Sequence, residues 1–554
     1  MARIIAASLG DCIHVIGVRN FLHLATLEGH DVRFLGATLS PEGFVRAIAE
    51  EDPDVVGVSY RLSPDACRTM LLDLKDRLEA ADLLEDRLYL FGGTAGTGAV
   101  ARELGFFSEI FDGRWARDAI VAYLRRLAGD ADSGAAASAA PPDTLIERIQ
   151  AVAPLPLLRH HIGLETVEAT VAAVARLSEE GVLDVISIAP DQTAQEAFFR
   201  EEGRSGRSSG AGGVPVRTPE DLARIHDATR RGNRPLCRCY SGTAEVFQWA
   251  EMLARTIHNA WCAVPLTWYN EMDRRGPRPL GQSIVEAKQL MTWHAKRGIP
   301  VEVNEPHQWS LRRASDAVAA ATAYLAAYNA KQAGVRDYVA QYMLNTPAGI
   351  SPSMDLAKIL AMIDLVEGLH DDEFRSYRQV RPGLSSFPVD PDAGRARLVL
   401  STLVGMAFRP SILHVVAYCE GAHIAGPEEI VESARMARWT ISEASTDSLF
   451  ERLLEAPQVQ RRKEQVLKEA QAILDAIAEL AGDEPDPLAS AAAIERAIRL
   501  GILDAPDLEG NEAAAGVART AIIDGACVSV DPKTRMPLAE EERLARILSE
   551  ASNR

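Results

Sequence analysis

The chemistry legible in this chain begins with Asp11-Cys12-Ile13-His14-Val15-Ile16-Gly17, a polar loop set directly after an apolar run. A histidine in such a loop can ligate a metal through one ring nitrogen. The bland alternative is a loop histidine with no ligand. A nucleotide-binding loop fits less well, because Gly10 and Gly17 stand there without a G-x-G-x-x-G pattern. A second cluster, Gly92-Gly93-Thr94-Ala95-Gly96-Thr97-Gly98, follows a later apolar run. It lacks the lysine of a P-loop, so it reads as bare backbone beside a flat, bulky ligand. His23 is expected on a helix face and His30 in the turn before a strand.

Positioning these loops requires regular elements, and the sequence supplies them. RIIAAS, DVRFLG, DVVGVSY and RLYLFGG are short, branched and apolar, which predicts strands buried on both faces. Helices are expected at 16–28, 41–51, 64–79 and 95–104. The alternation predicts a doubly wound α/β domain over residues 1–128, with its ligand beyond the carboxyl ends of the strands, after Ser8, Gly36, Ser59 and Gly92. The stretch AGDADSGAAASAAPPD cannot build a core and reads as a linker, assigned to 129–149.

From 150 to 440 the alternation resumes, with DVISIA, RPLCRCY, NAWCAVPL, IPVEVN, DYVAQYML and SILHVVAY as strands and helices at 166–179 and 314–333. Repeated βα units over this length predict a (β/α)8 TIM barrel, with a second open sheet as the alternative. A long charged helix at 461–480 and a small mixed tail form a C-terminal α+β extension, 441–554. Polar groups at barrel strand ends face the site, which singles out Glu302 and Glu305 in VEVNEP. Arg274, Arg275 and Arg278 are either an anion grip or a solvated loop. Arg204 and Arg207, with the Gly/Ser-rich 205–213, are a lid or a surface loop. Trp261, Trp268 and Trp309 are core by default.

Composition bounds the function classes. The 554 residues are 47% hydrophobic and 25% charged, which excludes wholesale disorder and predicts two or three domains. Lys plus Arg number 59 against 78 Asp plus Glu, a formal net charge of -19. A surface that acidic repels phosphate backbones and anionic lipid, so neither nucleic acid nor membrane is an expected partner. No apolar run approaches the ~20 residues that span a bilayer, and MARIIAASLG begins like a strand rather than a signal peptide. Seven scattered cysteines without a CxxC pair predict a reducing, cytoplasmic location.

Together the loops resemble the cobalamin-binding domain of B12-dependent mutases and methyltransferases. That family's pattern is Asp-x-His-x-x-Gly after the first strand, Ser-x-Leu after a middle one and Gly-Gly after a late one. Here His14-x-x-Gly17, Ser59 and Gly92-Gly93 stand in that order. The resemblance implies a flavodoxin-like B12-binding domain. In it His14 is the lower axial cobalt ligand, and Asp11, Gly17, Ser59, Leu62, Gly92, Gly93 and Thr94 meet the cofactor. An Asp on the other imidazole nitrogen would fix its tautomer. One extra residue separates Asp11 from His14, leaving Cys12 at the family Asp position, and Leu62 sits one residue further from Ser59.

The remainder resembles the catalytic large subunit of glutamate mutase (methylaspartate mutase), most clearly in GIPVEVNEP, IAGPEEIVESA and GILDAPD. This implies an adenosylcobalamin-dependent carbon-skeleton isomerase, a homodimer, with a small acid as substrate. Arg159, Tyr269 and Glu305 are the implied catalytic residues, and Glu420, with His423 as a second candidate, the implied adenosyl contact. The family's second substrate arginine falls near Gln192-Thr193 and its third near Tyr240, two residues after Arg238; the acid before Tyr269-Asn270 is absent. A dicarboxylate site short of two guanidiniums loses roughly 2–5 kcal/mol for each buried charge left unpaired, so a different small acid is expected. The alternatives are a corrinoid methyltransferase and a non-catalytic cobalamin sensor or carrier.

Overall fold

In the computed structural model, which describes residues 1–113, 115, 117–127, 141–200, 212–445 and 449–552, the chain divides into the units Met1–Ala139 and Ala140–Arg554. The first is a five-stranded parallel sheet built from β1 (Arg3–Leu9), β2 (Asp31–Leu39), β3 (Val55–Tyr60), β4 (Leu88–Gly93) and β5 (Glu109–Phe111), in the order β2-β1-β3-β4-β5. The order reverses between β1 and β3, the place where open α/β sheets bind ligands. Alternate residues feed opposite faces. Ile5, Val56, Val58 and Phe91 pack on one side, while Ile4, Ala6, Val55 and Leu90 pack on the other with Leu22 and Leu124.

Helix starts follow local capping chemistry. Ser40 caps α2 (Pro41–Glu51), Ser63 caps α3 (Pro64–Ala80), and Thr94 with Thr97 forms a capping box on α4 (Ala95–Leu104). Helices α1 (Ile16–Leu27) and α5 (Arg117–Leu127) complete the unit. Strand β5 has three residues, too few to show an apolar run of its own.

The second unit is a closed barrel of eight strands, every neighbouring pair parallel. They are β6 (Leu157–Ile162), β7 (Val185–Ile188), β8 (Leu236–Tyr240), β9 (Cys262–Ala263), β10 (Val301–Glu302), β11 (Asp337–Leu344), β12 (Arg375–Pro382) and β13 (Ile412–His414). Pairing of β13 with β6, Leu413 opposite Leu158, closes the ring and excludes the open-sheet alternative.

One end of the barrel interior is filled by Leu157, Val185, Leu236, Val339 and Ile412, on which Leu145 and Ile149 of α6 (Leu145–Val152) pack. That helix occupies the end of the segment expected as linker; residues 128–140 lie outside those described. The C-terminal extension belongs to the barrel unit. It holds the helices Pro457–Ala481, Ala491–Leu500 and Glu540–Ser552 and the antiparallel hairpin β14 (Thr520–Ile523) and β15 (Ala526–Ser529). In GILDAPD, buried Asp504 accepts the backbone N–H groups of Val517 and Ala518, both at 2.8 Å, which fastens the extension's loop. Among the described residues no helix is long and apolar enough to cross a membrane.

Gly93 ends β4 where no side chain fits. A Cβ there would stand 2.7 Å from the Tyr60 carbonyl oxygen and against Thr97 Oγ1. We therefore expect Gly93→Ala to destabilise the N-terminal unit by about 1–3 kcal/mol in urea denaturation, whereas Gly17→Ala, with open space around it, shows no such clash-driven loss.

Candidate functional site

In the N-terminal unit, register aligns Ser8 with Ser59 and Ser59 with Gly92 across β1, β3 and β4. Past Ser8, Gly10 takes a φ of 62°, a left-handed turn suited to glycine, and its N–H reaches the Leu39 carbonyl at 2.8 Å. Buried Ser8 then holds the loop: its hydroxyl donates to the Cys12 carbonyl and accepts the Thr38 N–H at 3.2 Å. The result is a buried Cys12 and an exposed His14.

The extra residue before His14 decides which group supports it. Asp11 accepts a 2.9 Å hydrogen bond from the Tyr60 hydroxyl, and burial together with Asp11 pushes the Tyr60 pKa up to about 12. Asp11 is thus engaged elsewhere, and Cys12 Sγ lies 3.8 Å from His14 Nδ1. His23 lies exposed on α1, and His30 is structural: its ring accepts the Ala2 N–H at 3.2 Å and meets the Leu124 carbonyl at 3.0 Å.

A cavity of about 310 Å³ opens between α1 and the sheet, walled by Gly17, Phe21, Val58, Ser59, Leu90 and Gly92. Ser59 is 4% exposed, and among the described residues nothing hydrogen-bonds its hydroxyl. A Cβ on Gly92 would project toward Ser59 at 3.9 Å, so its absence widens the slot there. Thr94, by contrast, spends its hydroxyl on the capping box with Thr97. Leu62, after β3, is a partly exposed apolar residue, as are Ile13 and Ile16 beside the histidine.

These residues fit cobalamin. A flat heteroaromatic tail needs an apolar slot with one hydroxyl and bare backbone. A cobalt delivered inside a macrocycle needs only one imidazole. His14 would hold the cobalt, and Ser59, Gly92 and Gly17 would line the tail's slot.

In the barrel, strand alternation places a charged layer above the apolar plug. Arg159 of β6, Arg238 of β8, Glu302 of β10 and Gln379 of β12 come from alternate strands and bond to one another. Glu302 accepts from Arg238 at 2.9 Å, Trp261 at 2.7 Å and Arg159 at 3.5 Å. Arg159 also donates to Gln379, to Ser187 at 2.9 Å and to His161 Nε2 at 3.1 Å. His161 Nδ1 stands 3.0 Å from His414 Nε2. Burial alone would raise the Glu302 pKa, but Arg238 and Arg159 outweigh it and hold the carboxyl below its ordinary range. Burial lowers Arg159 itself well below the usual arginine value.

Two residues further along three of these strands, His161, Tyr240 and Arg381 line a cavity of about 530 Å³, joined by Asn304 beyond β10 and by Tyr269. Arg275 stacks over Tyr269, 4.9 Å from the ring centroid. Gln192 also lines it, at the position lacking the family's second arginine.

Three guanidiniums, from Arg159, Arg238 and Arg381, therefore meet at this mouth. That corrects the expectation of a site stripped to one. Arg238 was legible as a neighbour of Tyr240. Arg381 was not, because RSYRQVRP lacks the apolar run of a buried strand.

Other candidates fall elsewhere. Glu305 does not line the cavity; its carboxylate accepts from Leu266 N at 2.9 Å, Thr267 N at 3.3 Å, Trp309 Nε1 at 3.1 Å and the Thr267 hydroxyl, bracing the loop after β9. Glu420 accepts from Ala417 N at 2.9 Å and stands 2.9 Å from His160 Nε2. Burial would raise its pKa, but His160 keeps it low. His423 turns to the Ile424 carbonyl at 3.0 Å. Arg278 is tied to Glu286 and the Tyr269 carbonyl. The tryptophans are buried, Trp268 against Trp309 at 4.9 Å between centroids. Arg204 and Arg207 lie outside the described residues.

Comparison with known proteins agrees with this geometry in the N-terminal unit. Residues 2–127 match the B12 binding domain family, and that unit is a B12-binding domain. The beta subunit of lysine 5,6-aminomutase from Acetoanaerobium sticklandii is 26% identical over 125 residues, 21% of this chain and 48% of that one. The chain thus spans about half the length of the curated relative it matches. Among solved structures, a cobalamin-binding protein from Desulfitobacterium hafniense DCB-2 aligns at 26% identity over 23% of this chain and 58% of that one, TM-score 0.19. The cobalamin-dependent S-adenosylmethionine radical enzyme OxsB aligns at 8% identity over 91% and 71%, also with TM-score 0.19. At those scores neither informs the barrel.

Removing the central carboxylate tests the charged layer. Glu302→Gln leaves two buried guanidiniums without their counter-ion, and we expect a loss of roughly 3–5 kcal/mol at pH 7. Because the folded-state pKa is depressed, the stabilisation is complete above the unfolded value of about 4.3 and fades as pH falls through the folded one. Denaturation of wild type and variant should differ most near neutrality and converge in acid.

Proposed function

We propose that this chain is an adenosylcobalamin-dependent carbon-skeleton mutase acting on a small carboxylic acid. The observation that carries the reading is a closed barrel whose mouth presents three guanidiniums, in one chain with a B12-binding domain. Bound adenosylcobalamin would supply one-electron chemistry through a cobalt–carbon bond that breaks homolytically.

The chain's own residues have other tasks. Arg159 and Arg238, held by Glu302, bind and orient a substrate carboxylate, a job that suits the fixed donor fork of arginine. Stacking of both on Trp261, at 5.3 and 5.4 Å from its ring, keeps the forks from swinging. Tyr240 and Tyr269 line the same space, and burial raises the pKa of each hydroxyl, so both stay protonated donors. Trp268 and Trp309 exclude water beside Tyr269's loop. The similarity to an aminomutase subunit supports an isomerase over a methyltransferase.

The test is turnover on a panel of small mono- and dicarboxylic acids. With adenosylcobalamin we expect one acid to give an isomer with a rearranged skeleton, detected by NMR, and no product with cyanocobalamin. Arg238→Gln should cut kcat/KM at least 100-fold. Methyl transfer from methylcobalamin to a thiol would favour the methyltransferase reading. Tight adenosylcobalamin binding without turnover across the panel would favour a sensor or carrier.

A further inference from the structure

A separate cavity, of about 710 Å³, opens at the amino ends of the barrel strands, the face opposite the mouth. Its walls come from the segments that lead into three consecutive strands: Arg230 and Arg234 before β8, His258 before β9 and Arg297 before β10. Strand β8 divides the two cavities, since Leu236 and Cys237 line this one and Arg238 and Tyr240 the other. The volume is in the range of small-molecule sites.

The lining has two characters. Leu145, Leu236 and Ala260 of the apolar plug, with Ile257 and Ile299, give it an apolar floor. Around that floor three guanidiniums face the one lining carboxylate, Asp143, which Arg230 meets at 3.0 Å and Arg234 at 3.9 Å. Arg230 spends its other nitrogens on Thr229 and the Pro235 carbonyl. Nε of half-buried Arg234 has no hydrogen-bond partner among the described residues. Arg297 stacks on Trp293, 3.7 Å from the ring centroid, and the acid beside it, Glu251 at 3.8 Å, lies closer to Arg255 at 2.8 Å. The rings of His226 and His258, 5.1 Å apart between centroids, also border the space. Burial, then Arg230 and His258, push the His226 pKa down to about 4 against the pull of Asp227 and Asp143. Arg234 and His258 both hold left-handed backbone, φ 50° and 48°, which non-glycine residues rarely adopt and which gathers at ligand sites.

Positive charge collected in one recess stands out on a chain of formal net charge -19. The surface as a whole repels a polyanion, so the recess suits a small anion rather than nucleic acid. A carboxylate brings one charge and two oxygens. A phosphate monoester brings nearly two charges and three terminal oxygens, enough to meet guanidiniums standing on separate loops. The apolar floor and the two imidazoles suit an aromatic body on that phosphate. We propose that this recess binds a small aromatic phosphate monoester, the class to which nucleoside monophosphates belong, with Arg234 and Arg297 as anion contacts. The site is distinct from the barrel mouth and stands whether or not the mouth carries out mutase chemistry.

The experiment titrates 1-naphthyl phosphate, 1-naphthol and inorganic phosphate into the full-length protein by calorimetry near neutral pH. One molecule of the ester should bind per chain, about 10-fold or more tightly than either part alone. Arg234→Gln and Arg297→Gln should each weaken the ester about 10-fold, whereas Arg238→Gln at the mouth leaves its affinity unchanged. Arg297 lies exposed, so its variant keeps the fold and decides the matter even where Arg234→Gln does not fold. In thermal melting the ester should raise the midpoint of wild type more than that of Arg297→Gln. No binding of the ester, equal affinity for naphthol or for inorganic phosphate, indifference to Arg297→Gln, or loss of binding in Arg238→Gln would overturn the proposal.

Discussion

Ser8 is the fixed point of the N-terminal site. It lies in a row with Ser59 and Gly92 across three parallel strands, and its hydroxyl bonds to the loop that follows its own strand and to the end of β2. Parallel register makes the row inescapable: once β1 pairs with β3 and β3 with β4, the carboxyl ends come together at one edge. His14 is exposed because the loop is held from below, leaving the imidazole outside the core. The slot beside it exists because Gly92 adds no side chain and Ser59 adds a small one. Cys12 near His14 Nδ1, with Asp11 turned to Tyr60, gives this histidine a softer neighbour than a carboxylate. A neutral thiol accepts a ring N–H more weakly than a carboxylate does, so a cobalt held at His14 would meet an imidazole whose basicity its neighbour raises little.

The barrel solves a different problem. Inward side chains of a closed parallel barrel stack in layers from alternate strands, so a polar layer can be inserted only if its members answer one another. Arg159, Arg238, Glu302 and Gln379 largely do so, with one carboxylate serving two guanidiniums and an indole, while Nε and Nη1 of Arg238 stay unmatched. Burying two like charges is tolerable because the opposite charge is shared between them. The next layer outward abandons that balance. His161, Tyr240 and Arg381 face a cavity, with Nε of Arg381 left without a partner, the kind of local cost that folds carry at functional sites. In the plug below, the same alternation delivers Leu157, Val185, Leu236, Val339 and Ile412.

Much of this was legible in residue patterns, and the failures have physical causes. Branched apolar runs announce strands, which is why β1 to β4 and most barrel strands were readable, but β2 is not buried on both faces as expected: it is the edge of its sheet, with every residue intermediate or exposed. β12 escaped because its inward face carries Gln379 and Arg381 and its outward face Arg378, which pairs with Glu367. Three residues made β5 too short to register. Glu302 and Glu305 look equivalent in VEVNEP, yet one ends a strand and faces inward while the other begins a helix and braces a loop. A spacing of three cannot distinguish them before the strand's end is known. Arg159 and Gln379 are 220 positions apart, so only barrel closure could reveal the layer they share. Likewise the extra residue between Asp11 and His14 hid which side chain would sit beside the imidazole.

The central claim is that the His14 imidazole is the cofactor's lower ligand. The most direct test is electron paramagnetic resonance of the protein loaded with the paramagnetic cobalt(II) form of cobalamin, prepared with and without ¹⁵N-histidine. If His14 is the ligand, labelling converts the nitrogen superhyperfine triplets to doublets, and the conversion disappears in His14→Ala. Triplets unchanged by labelling would mean that the cofactor keeps its own base on the metal, and the account built on His14 would be wrong.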